Sequence, residues 1–322
     1  MTDEKVVAVY GHTFTSLDIE LAVLSAHNIR LLNGNDLTPI EMAKRGVTGI
    51  VLGTLKKVDR ELIAAMPFLK VVVRQGIGVD NIDIPAATER NIVICNVSDY
   101  CIEEVAVHAL TCALSLMRNL TFFDSNIRKG LWRKGMPQMS RPSRATVGVI
   151  GYGQIGRAFV ARARSIFGTI LIYDPWYKGD VQEGVKFVDD LDELLAESDV
   201  VTVHVPLMPQ TTSLIDSKRL SKMKKNAVVI NASRGGIIDE DALLSVIRAG
   251  NIAGAALDTF SVEPLSKESD LVQEGRILLT PHIAWLSKES EIELREHAAQ
   301  EIIRVLFGEN PHSQLNKTQV VV

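Results

Sequence analysis

The run Val147-Gly148-Val149-Ile150-Gly151-Tyr152-Gly153-Gln154-Ile155-Gly156 restricts the fold of this chain more than any other segment. A short apolar β run ends at Gly151, and an amphipathic helix opens before the third glycine. A second apolar run, Ile170-Leu171-Ile172-Tyr173, ends on Asp174. Strand, glycines, helix and a terminal acid about twenty residues on make a dinucleotide-binding fingerprint. Gly151 permits the tight turn, Gly153 lets a pyrophosphate approach the backbone, and Gly156 lets the helix pack on the sheet. Free N–H groups at the helix start favour anionic phosphates, which brings Gln154 and Ile155 into the expected cofactor site. Asp174 is positioned to accept hydrogen bonds from ribose hydroxyls, and its charge repels a 2′-phosphate. The residues that follow, Pro175, Trp176 and Tyr177, offer no arginine for such a phosphate. The reading is NAD rather than NADP.

A chain of 322 residues suits two domains, because a single core rarely grows past about 250–300 residues. Hydrophobic content of 46% and charged content of 23% are those of a globular protein. A net charge of −4 without a basic run excludes a nucleic-acid footprint. The apolar runs fall well short of the roughly 20 residues that span a bilayer, and no signal-peptide core follows Met1, so no membrane partner is expected. Cys95, Cys101 and Cys112 are odd in number and lack zinc spacing. They point to a reduced cytoplasmic protein without a bound metal.

Short apolar strands alternate with helical segments from the N-terminus. The strand-like runs are 6–9, 49–52, 70–73 and 92–95, with helical patterns near 17–26, 39–45, 59–65 and 84–90. Continuous apolar strands between helices indicate a parallel sheet covered on both faces. A long apolar helix from about Cys101 to Asn119 and a polar, basic stretch to Arg144 precede the dinucleotide strand. Further strands are expected at 200–205, 227–231, 252–257 and 277–279. A final helix from about Ser287 places Ile292, Ala299, Ile302, Ile303 and Leu306 on one stripe. The nucleotide domain is therefore read as an insertion, with residues 1–98 and 287–322 forming one α/β domain and residues 99–286 the other. Ligands are expected in a cleft between them.

Three residues past predicted strand ends carry the chemistry of hydride transfer. They are Arg234 in Asn-Ala-Ser-Arg-Gly-Gly (231–236), Glu263 before Pro264, and His282 after Pro281. Ligands of open α/β sheets bind outside the carboxyl ends of strands, so all three point to one crevice. A guanidinium serves a substrate carboxylate and a polarised carbonyl, histidine supplies a proton, and a carboxylate orients the imidazole. Arg234, His282 and Glu263 fill these roles in that order. The other histidines, His12, His27, His108, His204, His297 and His312, lack a supporting pattern and read as core or surface residues. Cys101 reads as a small apolar filler.

With these motifs in order and spacing, the chain resembles the D-isomer-specific 2-hydroxyacid dehydrogenase family over nearly its whole length. The loop Arg74-Gln75-Gly76-Ile77-Gly78 looks like the family's substrate-carboxylate loop, with Arg74, Ile77 and Gly78 as contacts. The resemblance implies the Arg-Glu-His set, NAD dependence, D configuration, a flavodoxin-like substrate domain and a homodimer through the NAD-binding domains. It also implies that Asp258 reaches the nicotinamide amide, with Ala232, Ser233, Arg234, His282 and Trp285 near the nicotinamide and Arg234 and His282 on the substrate. Arg74, Val97-Ser98-Asp99-Tyr100-Cys101 and Ala284-Trp285-Leu286-Ser287 make the chain most similar to the C-terminal-binding-protein-like branch. Val107, before His108, departs from relatives that place an acidic residue there. The resemblance leaves open an NAD(H)-sensing, peptide-binding corepressor-like protein, and a short phosphoglycerate dehydrogenase. Formate dehydrogenase shares the fold but has glutamine where this chain has Glu263.

Overall fold

The computed structural model describes residues 4–180 and 183–318. Contacts divide the chain into two compact units, Met1–Cys101 with Ser287–Val322, and Ile102–Leu286. The elements of the first unit are β1 (Val6–Tyr10), α1 (Asp18–Ser25), β2 (Arg30–Asn33), α2 (Pro39–Lys44), β3 (Val47–Leu52), α3 (Arg60–Ala65), β4 (Val71–Arg74), α4 (Ile84–Glu89) and β5 (Val93–Asn96). The second unit opens with α5 (Ile102–Met117), α6 (Leu120–Arg128), β6 (Thr146–Ile150), α7 (Gln154–Ala163), β7 (Thr169–Tyr173), β8 (Lys186–Phe187) and α8 (Leu191–Glu197). It continues through β9 (Val200–Val203), α9 (Ser217–Leu220), β10 (Val228–Asn231), α10 (Glu240–Arg248), β11 (Gly254–Leu257), α11 (Asp270–Gln273) and β12 (Ile277–Leu279). The chain then returns to the first unit as α12 (Lys288–Leu306).

The first unit is a five-stranded parallel sheet in the order β2-β1-β3-β4-β5, the flavodoxin-like order. Alternate strand residues supply opposite faces. Val6, Ala8, Ile50, Leu52, Val72 and Ile94 pack with Met42, Leu62, Ile63 and Ala87 of α2, α3 and α4. The other face takes α1 and α12; a Cβ at Gly49 would lie 3.3 Å from Ile302 Cδ1. Arg295 of α12 holds the buried Glu20 of α1 at 2.6 Å, and Gln75 Nε2 donates to the same carboxylate at 3.1 Å. Losing one partner of such a buried pair costs about 3–5 kcal/mol.

The second unit is a seven-stranded parallel sheet ordered β12-β11-β10-β9-β6-β7-β8. Its order reverses at β6, the strand that ends in the glycine-rich turn, so the switch point where such sheets bind ligands lies there. Val147, Val149, Val200, Ile230 and Ala256 face α5 and α7, where Ala106, Ala109 and Ala113 form a small-residue stripe. Ile150, Val201, Val203, Val229 and Leu257 face α8, α9 and α10 through Leu194, Leu220, Leu243 and Ile247. The central strands are thus covered on both sides, which is why they read as continuous apolar runs. Among the described residues no single helix is long and apolar enough to cross a membrane.

Candidate active site

The glycine-rich turn separates into two glycines that the backbone requires and one that no protein contact requires. Gly151 sits at φ +93°, with an added Cβ only 2.5 Å from the His204 carbonyl oxygen. At Gly156 that atom would be 2.1 Å from the Gly151 oxygen. Both are required by backbone approach. Gly153 has neither constraint: its backbone is extended, and a Cβ there would meet no protein atom within 4 Å. What glycine leaves there is open room, directly before the free N–H groups of Gln154, Ile155 and Gly156 at the start of α7. A helix start of this kind can cradle a phosphate.

Beside it lies a cavity of about 260 Å³ lined by Gly151, Gly153, Asp174, Trp176, His204 and Thr211, with Val205, Pro206, Met208 and Leu214 as its apolar wall. The apolar wall and the acidic end suit a nucleoside base and its ribose. Asp174 Oδ2 accepts from Tyr152 N at 2.8 Å, while Oδ1 accepts from Trp176 N at 3.0 Å and Tyr177 N at 3.1 Å. These bonds hold the carboxylate at the mouth of the turn and leave Oδ2 a lone pair. The wall residues after β9 were not singled out from sequence. Their signal was positional, because they follow the strand next to β6 at its carboxyl end. Thr211 braces that loop, its hydroxyl donating to the Pro206 oxygen at 2.6 Å and accepting from Met208 N at 2.7 Å.

His204 borders this cavity with its Nδ1 enclosed and unpartnered and its Nε2 3.0 Å from Thr202 Oγ1. The residue as a whole is only half-buried, but Nδ1 is not open to water. Burial pushes this imidazole down to about 4 from 6.5. A lowered histidine value stabilises the fold fully above the unfolded value. As pH falls from about 6.5 to about 4, the unfolded chain takes up the proton and the folded one does not. Each pH unit in that window costs about 1.4 kcal/mol, or about 3 kcal/mol in all. Urea denaturation between pH 7 and pH 4 should show this loss, and His204→Gln should flatten it; identical slopes for both proteins would contradict the assignment.

The catalytic candidates lie in three loops of the second unit. Past β10, Asn231 Nδ2 donates to the Arg234 oxygen at 2.7 Å and Asn231 Oδ1 accepts from Ser233 N at 3.0 Å. Ser233 Oγ donates to the Val203 oxygen at 2.7 Å, tying the turn to β9. At Gly235 a Cβ would fall 1.9 Å from the Phe260 carbonyl carbon. Only glycine lets the Arg234 loop lie against the loop of Glu263. There, Glu263 Oε1 accepts from Phe260 N at 2.9 Å and Oε2 meets His282 Nδ1 at 2.7 Å. Burial alone would raise the Glu263 carboxyl. The His282 hydrogen bond, the Phe260 N–H and the charges of His282 and Arg234 outweigh that and hold it below the ordinary carboxylate range.

His282 is at φ +54°, a left-handed conformation that costs a non-glycine residue roughly 1–2 kcal/mol. Its N–H donates to the Asp258 carbonyl at 2.7 Å, and Trp285 Nε1 donates to the His282 oxygen at 3.1 Å. With Nδ1 given to Glu263, Nε2 is the nitrogen left to deliver a proton. The Asp258 carboxylate, expected near a nicotinamide amide, accepts from Thr280 Oγ1, Ile283 N and Ala284 N at 2.6, 2.9 and 2.9 Å.

The first unit carries Arg74 as the last residue of β4, with Ile77 and Gly78 in the loop past it. Arg74 is buried, its guanidinium donating to the Gln75 carbonyl and lying beneath Gly76, while Ile77 is exposed. Cys95 and Cys112 are buried free thiols, pushed up to about 12 chiefly by burial, and Cys101 is likewise buried and outside any disulfide. None acts as a nucleophile in this arrangement.

Residues 110–284 match the family described as D-isomer specific 2-hydroxyacid dehydrogenase, NAD binding domain. A D-3-phosphoglycerate dehydrogenase of Archaeoglobus fulgidus is 39% identical over 261 residues, 80% of this chain and 49% of that protein. A glyoxylate reductase of Thermofilum pendens is 38% identical over 270 residues, 81% of this chain and 79% of that protein. Among solved structures, a D-lactate dehydrogenase from Aquifex aeolicus complexed with NAD and lactic acid superposes with a TM-score of 0.85 at 26% identity. It covers 94% of this chain and 96% of its own. The chain spans about half the length of the phosphoglycerate dehydrogenases it matches.

Proposed function

The chain belongs to the D-isomer specific 2-hydroxyacid dehydrogenase family, and from that premise we propose that it interconverts a 2-oxo acid and a D-2-hydroxy acid with NAD. The observation that carries this reading is the Glu263–His282 hydrogen bond of 2.7 Å, with Arg234 close enough for its charge to act on Glu263. NADH, when bound, supplies the hydride that reduces the carbonyl carbon. Arg234 binds the substrate carboxylate and polarises the carbonyl. His282 Nε2 gives its proton to the carbonyl oxygen as the alkoxide develops. Glu263 stays ionised, fixes the tautomer through Nδ1 and stabilises the imidazolium form. Asp174 and Gly153 hold the adenosine and phosphate parts of the cofactor, and Ala232, Ser233, Asp258 and Trp285 are assigned to its nicotinamide end. Arg74, Ile77 and Gly78 of the first unit are assigned to the substrate carboxylate.

The substrate class is a small 2-oxo acid such as glyoxylate or hydroxypyruvate, with the phosphorylated hydroxypyruvate as the alternative that would make this a short phosphoglycerate dehydrogenase. We place the protein in the cytoplasm, where its buried free thiols stay reduced. We assign a homodimer to the second unit. Support comes from the large apolar side chains exposed on α6 and the segment after it, Leu120, Phe122, Ile127, Trp132, Met136 and Met139. NADH consumption across a panel of 2-oxo acids tests the reading. We expect turnover with at least one 2-oxo acid and little with ketones that lack the carboxylate; equal rates for both would remove the role given to Arg234.

A further inference from the structure

His108 stands on α5, outside the residues assigned above, and nothing in its sequence neighbourhood marks it. The fold brings its imidazole against the turn that carries His282. Its Nε2 lies 3.2 Å from Thr280 Oγ1 and 3.9 Å from Asp258 Oδ1. The Thr280 hydroxyl donates its only proton to Asp258 Oδ1 at 2.6 Å. Toward His108 it therefore presents lone pairs, so Nε2 is the donor of that contact. The same carboxylate, 2% exposed, accepts the N–H groups of Ile283 and Ala284, and the Asp258 carbonyl accepts that of His282. The turn from Thr280 to Ala284 thus hangs on one buried aspartate. The imidazole of His108 sets the direction of the hydroxyl bond that completes its shell.

We propose that His108 is a positioning residue for His282: by donating from Nε2 to Thr280 it keeps the threonine proton on Asp258 and so holds the left-handed turn that aims the His282 ring at Glu263. Its effect on turnover rests on the reaction proposed above; its effect on the ring does not. A loss of aim, unlike a loss of binding, falls on kcat. A small misplacement of a catalytic group costs on the order of 10- to 100-fold.

Two substitutions separate the hydrogen bond from simple packing. His108→Phe keeps an aromatic ring and removes the donor, whereas His108→Gln places an amide N–H where Nε2 stood. The measurements are kcat and KM for 2-oxo acid reduction, NADH affinity, and the ring resonances of His282 in the cofactor-free protein, assigned by their loss in a His282 variant. We expect His108→Phe to lower kcat by about 10- to 100-fold, with NADH affinity little changed and the His282 ring signals displaced. His108→Gln should recover most of kcat and return the signals. Thr280→Val and Thr280→Ser interrogate the same bond from its other end, so a poorly folding phenylalanine variant leaves the question decidable.

The inference is overturned if His108→Phe and Thr280→Val leave kcat and the His282 signals unchanged. Equal impairment of the phenylalanine and glutamine variants, or a loss confined to NADH affinity, would overturn it as well. If the unmodified protein reduces no 2-oxo acid, the functional reading fails, and the His282 resonances alone still decide the role of His108.

Discussion

Replacing His282 with alanine should lower kcat for 2-oxo acid reduction by about 10²–10⁴, the range that a positioned general acid contributes, while NADH affinity stays near that of the unmodified protein. Glu263 occupies Nδ1 at 2.7 Å and is itself held by the Phe260 N–H, so the ring has one nitrogen available for chemistry. Among the described residues no other imidazole shares these bonds: His108 meets Thr280, and His204 meets Thr202. His282 does not line the cavity beside Gly153 and Asp174, so NADH binding through that end should survive the substitution. Stopped-flow reduction with saturating NADH separates the two quantities. Turnover equal to that of the unmodified protein would remove His282 from the acid role.

Gly153→Val should weaken NADH binding by about 10- to 100-fold, the equivalent of the 1–3 kcal/mol that overfilling a packed site typically costs, and leave thermal stability nearly intact. The backbone at Gly153 is extended, which valine adopts readily, and a Cβ there meets nothing in the protein. The added methyls occupy the room before α7. Gly151→Ala is the contrasting control. Its Cβ would lie 2.5 Å from the His204 oxygen at φ +93°, so it should lower the melting temperature instead. Fluorescence titration with NADH and a melting curve for both variants test the distinction. A Gly153→Val protein that binds NADH normally would show that no phosphate sits against this turn.

The parallel sheets were legible because their central strands are buried on both faces and therefore apolar at every position, as in Val71-Val72-Val73 and Val228-Val229-Ile230. β2 escaped because it is an edge strand, Arg30-Leu31-Leu32-Asn33, with polar ends exposed and only its centre half-buried. The short β8, the helix α6 and the brief helices α8, α9 and α11 escaped for a related reason. Each is too short or too exposed to imprint a periodicity on the sequence.

In the site, Arg234, Glu263 and His282 stood out because each follows a strand end within a motif of glycine or proline. What holds them was not visible. The Asn231 brace is local, but its partners could not be assigned before the turn was known. His108 and Thr280 are 172 positions apart in the chain and meet only through the packing of α5 on β10 and β11. The sequence also offered no sign that Asp258 spends its carboxylate on the turn that carries His282.

The central claim, that this dyad works on a D-2-hydroxy acid with NAD, is tested most directly in the oxidative direction. Each enantiomer of a small 2-hydroxy acid is offered with NAD, and NADH formation is followed by absorbance. We expect the D enantiomer to be oxidised and the L enantiomer to be inert, with the D rate abolished by His282→Ala. Oxidation of the L enantiomer at a comparable rate, or a D rate that survives the loss of His282, would contradict it.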